Sequence, residues 1–304
     1  MLIQFRIPKK EHFQKQVNLL ENSETCIKNW CKTLRNLSGI SSKKSDYPPM
    51  FVDNEYIEDS KKKADAFNIF ICNQAMVDDS NVNLPNITTP ESSPFLSDIH
   101  ITEEQVFDHL STLDISKASG PDGVGARLLK SAACELGRPL AQLFSKSLQT
   151  STFPDIWKIA SVVPVFKNGV KELIQNYRPI SLLSIIGKSM ERCVFKHLYN
   201  YLVENQHITC FQSGFRPGDS TTNQLLHLTN ILFGKAIDDE KEIRVMFFDI
   251  SKAFGRVWHA GLIHKLQKIG IRGPLFKWFR SYLSDRKQKV KIGRCSHTCQ
   301  PSRD

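Results

Sequence analysis

Apolar positions along the chain recur with two periods. A helical spacing of three to four residues is carried by Ala64, Phe67 and Ile71, then by Val106, Leu110 and Leu113, then by Ile186, Met190, Val194, Leu198 and Tyr201. These predict helices over about 58–75, from 102 onward, and over 186–204. A further helix is predicted over 10–37, and a helical stretch over 125–150 interrupted at Pro139. Thr102 and Gln105 form a capping box, as do Thr221 and Gln224, which opens a helix to about 236. Two short helices are predicted after residue 255, with Pro274 at the first helical position of one.

Three runs read as strands instead. Residues 159–166 (IASVVPVF) form one, which Pro164 demotes to an edge or a bulge. Residues 243–250 (IRVMFFDI) form a largely apolar run of buried-strand type, with Asp249 near its end. Residues 288–292 form a last short strand. Few strands, many helices and no regular alternation predict an α+β fold rather than a doubly wound sheet. Residues 77–99, with three prolines and four serines, read as a linker. The expected organisation is a helical connector over 1–76, a linker over 77–99 and a main domain over 100–304.

The 304 residues carry a net charge of +10. Residues 1–44 hold nine Lys/Arg and three Glu, and residues 271–304 hold nine Lys/Arg and two Asp, so the middle is slightly acidic. Two basic ends suit a polyanion partner, nucleic acid most simply; solubility charge is the plain alternative. No apolar run reaches the roughly 18 residues of a membrane span, and the N-terminus lacks an apolar signal region. Eight scattered cysteines then read as reduced thiols of an intracellular protein, with nucleus and cytoplasm not distinguished. In that setting the sequons at Asn36 and Asn86 have no meaning. Cys295 and Cys299 bracket His297, but no second ligand cluster follows to complete a zinc site.

Asp249 is the residue with the most chemistry to explain. A carboxylate closing a buried strand is costly unless something pairs with it, and a divalent cation is a common partner. Local features alone favour a plainer role, with Asp249 or Ser251 capping a following helical turn.

Five blocks, in order, resemble the reverse transcriptases of LINE-type (non-LTR, Jockey-like) retrotransposons. They are Lys117-Ala-Ser-Gly-Pro-Asp-Gly123, Val163-Pro-Val-Phe-Lys167, Asn176-Tyr-Arg-Pro-Ile-Ser-Leu-Leu183, Gln212-Ser-Gly-Phe-Arg-Pro-Gly-Asp-Ser-Thr221, and Phe247 through His259. Residues 28–75 resemble, more weakly, the connector preceding such polymerases. The resemblance implies a partial right-hand polymerase, with fingers and the first part of a palm. It implies RNA-templated DNA synthesis with an RNA template, a DNA primer, dNTPs and Mg²⁺, and no membrane; it leaves the oligomeric state open. By the same resemblance Asp249 binds metal, the carbonyl of Ile250 lies beside the metals, and Phe254 lies under the sugar. Lys167 and Arg178 hold the triphosphate, and Arg216 meets nucleic-acid phosphates. Lys287 and Lys289, in the basic C-terminal stretch, are further candidates for nucleic-acid contact.

Two departures limit what is expected of the chain. Gly255 stands where the family usually repeats an aspartate. The family's Pro-Gln-Gly block and Ala-Asp-Asp hairpin do not occur in the 304 residues; after Asp249 only Asp285 and Asp304 follow. A pair of metals about 4 Å apart needs several convergent carboxylates. The expectation is a reverse transcriptase truncated before that hairpin and catalytically incomplete. The alternatives are a non-enzymatic nucleic-acid-binding remnant and the product of a decayed mobile element.

Overall fold

The structure, a computed structural model, describes residues 47–76, 79, 82–87, 94–234 and 244–293, and the backbone of 295–301. The helix expected over 10–37 and the Cys295–Cys299 side chains lie outside the described residues. In chain order the elements are β1 (Met50–Val52), β2 (Glu55–Ile57), α1 (Ser60–Ala75), α2 (Glu103–Ser111), α3 (Ala126–Ser131) and α4 (Ala133–Gln149). Then follow β3 (Ile159–Phe166), β4 (Tyr177–Leu182), α5 (Ile185–Glu204), α6 (Thr221–Thr229), α7 (His259–Lys268), α8 (Gly273–Leu283), β5 (Lys287–Ile292) and β6 (Cys295–Pro301).

One core is helical. Val106, Leu110, Phe144, Met190 and Trp278 are among its buried members. The capping box at α2 forms as the sequence predicts: Gln105 N donates to Thr102 Oγ1 (3.2 Å) and Thr102 N to Gln105 Oε1 (3.4 Å). At α6 the cap differs from expectation. Ser220, not Thr221, accepts from the backbone of Asn223, and regular α-helix ends at Thr229, with a π-turn over Asn230–Gly234. A Ser beside a Thr offers two candidate caps, and the backbone of Ser220 is the one left extended. Pro139 does not interrupt its helix either; the break falls at Ala132, between α3 and α4. Pro139 and Glu135 are both exposed, so the Glu135 carbonyl deprived of its i+4 donor faces water.

Gly120 is held where a side chain has no room. A Cβ there would lie 2.5 Å from the Leu183 carbonyl and the Ser184 nitrogen, all backbone. Gly120→Ala is expected to cost about 1–3 kcal/mol of stability in urea unfolding, and a loss below about 0.5 kcal/mol would contradict this close approach.

The second core lies under a four-stranded sheet of order β4-β3-β5-β6, in which only the β3–β5 pair is parallel. Pro164 does not make β3 an edge strand throughout. Ile159–Val162 pairs with β5 on one side, and Ser161–Phe166 pairs with β4 on the other. The sheet tolerates the proline because Pro164 faces Pro179 across the β3–β4 ladder. Lys167 N donates to Asn176 O at 2.8 Å, so alternation along an antiparallel pair leaves Pro164–Pro179 as a non-hydrogen-bonded pair. Neither missing N–H is required there. The Pro164 carbonyl, beyond the end of β5, accepts from the Tyr47 hydroxyl at 2.6 Å.

The two faces of the sheet are unlike. One carries Val162, Gln288, Val290 and Ile292, and α1 covers it with Ala64 and Phe67. Gln288 Nε2 fixes the register of this contact, donating to Asn68 Oδ1 (3.0 Å) and Cys72 Sγ (3.2 Å). Helix α1 thus shares a core with strands that follow residue 99.

The apolar run that carries Asp249 departs most from expectation. Residues 244–250 lie in no helix or strand, and they are exposed: Phe247 by 82%, Phe248 by 90% and Ile250 by 76%. The expected buried strand does not form. A strand is buried by its ladder partners and the layer above it, and among the described residues no strand forms a ladder with this run.

Candidate nucleic-acid and nucleotide interface

Register decides where the expected cations go. Residues 163 and 165 of β3, with Lys167 just past its end, share the face opposite α1; Val165 pairs with Arg178, and Ile159 and Ser161 pair with Lys287 and Lys289. Lys167, Arg178, Lys287 and Lys289 therefore project from one face of one sheet. Lys291 joins them two residues on. Sequence reasoning passed over it, although the alternation of Lys287, Lys289 and Lys291 is legible as a period of two. Between the β5 lysines and the Lys167–Arg178 pair lie Val165 and Ile180, exposed by 47% and 46%. The face is thus cationic on both flanks and apolar between them. Such a surface can meet phosphates at its flanks and less polar groups at its middle.

The other expected residues lie elsewhere. Phe254 sits in a 3₁₀ turn, Ala253–Arg256, entered through Lys252 in a left-handed conformation (φ 55°). This turn packs against α1, with the Lys252 ammonium 5.8 Å from the Phe70 ring centre. Phe254 lines a cleft of about 540 Å³ with Lys158, Ala160, Arg286 and Lys287, where β3 and β5 begin. Lys167 is eight residues along β3 from Ile159, roughly 26 Å at strand rise. Phe254 is therefore not brought together with Lys167 and Arg178. Arg216 lies closer to Phe254. It belongs to a turn in which Phe215 has φ 63° and Gly218 φ 82°, and the Phe215 ring meets the Phe254 ring edge-on at 5.9 Å.

Asp249 is exposed and makes no hydrogen bond or ion pair among the described residues. Among the described residues, no three His, Cys, Asp or Glu side chains gather there in an arrangement that could hold a metal ion. The described residues do not fit the two-metal centre that the resemblance implies. Gly255 does not owe its identity to crowding, since a Cβ built there meets nothing within 4 Å.

Lys158 and Arg286 were not legible as site residues. Lys158 is 5% exposed and pairs with Asp155 Oδ1 at 3.0 Å. Arg286 lies over the Tyr282 ring (4.8 Å) and donates to the Tyr282 carbonyl at 3.0 Å. Burial pushes the Tyr282 phenol up to about 12, so at neutral pH it stays protonated and hydrogen-bonds Glu191. Burial likewise holds the Glu191 carboxyl above the usual carboxylate range.

Residues 165–301 match the family described as reverse transcriptase (RNA-dependent DNA polymerase). The chain is 34% identical over 63% of its length to the probable RNA-directed DNA polymerase from transposon BS of Drosophila melanogaster, covering 21% of that protein. It is 31% identical over 66% of its length to the RNA-directed DNA polymerase from mobile element jockey of the same organism, covering 22% of it. The probable polymerase from transposon X-element of that fly is 33% identical over 58% of the chain, with 19% of it covered. The chain carries a reverse transcriptase domain similar to those of non-LTR retrotransposons. The similarity covers part of the chain, and the chain spans about a fifth of the length of these relatives. The reverse transcriptase match takes in β4, β5 and β6 whole and the end of β3, so the cationic face falls largely within it. No helix among the described residues is long and apolar enough to cross a membrane.

Proposed function

We propose that this is a reverse transcriptase domain fragment, catalytically incomplete by itself, that grips the phosphates of template, primer and dNTP on the solvent face of its four-stranded sheet. In this reading the β3–β4 hairpin is the tip of the fingers, and the segment after residue 243 is the first part of a palm. The observation that carries it is the convergence of Lys167, Arg178, Lys287 and Lys289 on one face. Lys167 and Arg178 would hold the triphosphate of an incoming dNTP, where fixed positive charge stabilises a developing pyrophosphate. Lys287 and Lys289, with Arg216 on its own turn, would follow the RNA template and DNA primer.

A second reading has its own support. The exposure of Asp249, with no gathered carboxylates about it, suits a non-enzymatic nucleic-acid-binding remnant of a mobile element equally well. Both readings require the cationic face to bind polyanions.

Binding of a labelled RNA or RNA–DNA duplex is expected to weaken steeply as salt rises, because each neutralised phosphate releases counterions. Lys287→Ala combined with Lys289→Ala is expected to lower the slope of log affinity against log salt by up to about 2. A flat salt response, or no binding at low salt, would overturn the proposal.

A further inference from the structure

The cleft at the start of β3 and β5 has more donors than its surroundings satisfy. The Lys158 side chain is 5% exposed, yet its ion-pair partner, Asp155, is 89% exposed. An ammonium offers three N–H donors, and this buried one meets a single solvated carboxylate among the described residues. Arg286 and Lys287 add two permanent cations to the lining, and Asp79 is the one carboxylate among the described residues that line it. Trp258 lines the same cleft, and its indole N–H is buried without an acceptor among the described residues. Unsatisfied buried donors are costly, and the group that would satisfy a cationic set of them is an anion with several acceptor oxygens.

We infer that this cleft is a phosphate-binding site anchored by Lys158 and Lys287, separate from the Lys167–Arg178 end of the sheet. It takes an oligophosphate, whether a free one or a stretch of nucleic-acid backbone. A volume of about 540 Å³ admits several phosphate groups rather than one, within the usual range of ligand pockets.

The test is equilibrium binding of tripolyphosphate to the full chain at low salt, with a labelled 12-nucleotide DNA as a competing arm. Lys158→Met is expected to weaken tripolyphosphate binding roughly tenfold, the loss of one charge-assisted contact. Lys158 is buried and its variant can fail to fold, so exposed Lys287→Ala is measured beside it, with an expected loss of about threefold to fivefold. Both variants are also measured in a Lys167→Ala background, which removes the triphosphate contact proposed at the far end of β3; the same losses are expected there. That control separates this site from the cationic face, whose failure would appear in the salt series instead. If the oligonucleotide competes and Lys158→Met weakens it equally, the bound phosphates are those of a nucleic-acid backbone. If it is indifferent to Lys158, the ligand is a free oligophosphate. Wild-type protein that fails to bind tripolyphosphate, or Lys158→Met and Lys287→Ala that both cost nothing in the Lys167→Ala background, overturns the inference.

Discussion

Purified protein given a primed RNA template, dNTPs and Mg²⁺ is expected to extend the primer no faster than background. The reason is the placement of carboxylates. Phosphoryl transfer of this kind needs cations held at fixed separation around the reacting phosphate, and several convergent carboxylates to hold them. Here Asp249 lies on an exposed stretch, and among the described residues no group of three His, Cys, Asp or Glu side chains able to hold a metal gathers with it. Losing one preorganised electrostatic group at such a centre costs about 3 kcal/mol or more, over a hundredfold in rate, and losing a metal costs more. Asp249→Ala is expected to leave nucleic-acid binding unchanged or slightly tighter, since an exposed negative charge is removed. Robust extension that disappears in Asp249→Ala would show that an acid such as Asp238 or Asp239, or a second copy of the chain, completes the centre.

The largest stability effect is expected at Trp278. It is 1% exposed in the helical core, stacks on Tyr282 at 5.5 Å, meets the edge of Phe153 at 5.5 Å, and donates its indole N–H to Ser147 Oγ at 3.0 Å. Trp278→Ala removes a ring that joins α8 to α4 and leaves a cavity among aromatic neighbours unable to collapse into it. A loss of about 3–5 kcal/mol is expected in urea unfolding followed by circular dichroism. A loss below about 1 kcal/mol would show that α8 is not part of a close-packed core. Trp278→Phe should fall between the two, because it keeps the stacking and gives up the hydrogen bond.

What the sequence reveals here depends on how local the cause is. The bounds of β3 follow from its own residues, and the α2 capping box needs only Thr102 and Gln105. The choice of Ser220 over Thr221 was less accessible, since it turns on which residue leaves the helix with an extended backbone. Pro164 misled because its compatibility with the sheet is set by Pro179, which faces it only once the ladder is known. The run 243–250 misled more deeply. Its composition is that of a buried strand, yet burial is a property of partners, and composition cannot supply them. The site shows the same division. Lys167, Arg178, Lys287 and Lys289 were legible singly, while their common face required the parallel β3–β5 register. Lys158 gave no signal at all, because an ordinary lysine becomes unusual only when the fold closes over it.

That register also governs how the chain must be assembled. Strand β3 gains its parallel neighbour only from residues roughly 130 positions further on. Contacts of that span are slow to form, since a long loop must close before they return any stabilisation. Until Lys287–Val290 arrives, the Ile159–Val162 edge has its N–H and C=O groups free and Val162 uncovered. Helix α1, which packs across β5, lacks half of its platform. During synthesis the hairpin β3–β4 and the helical core can form first, while the sheet waits with one adhesive edge. The interval between making β3 and making β5 is therefore when this protein is most exposed to mispairing with its own copies.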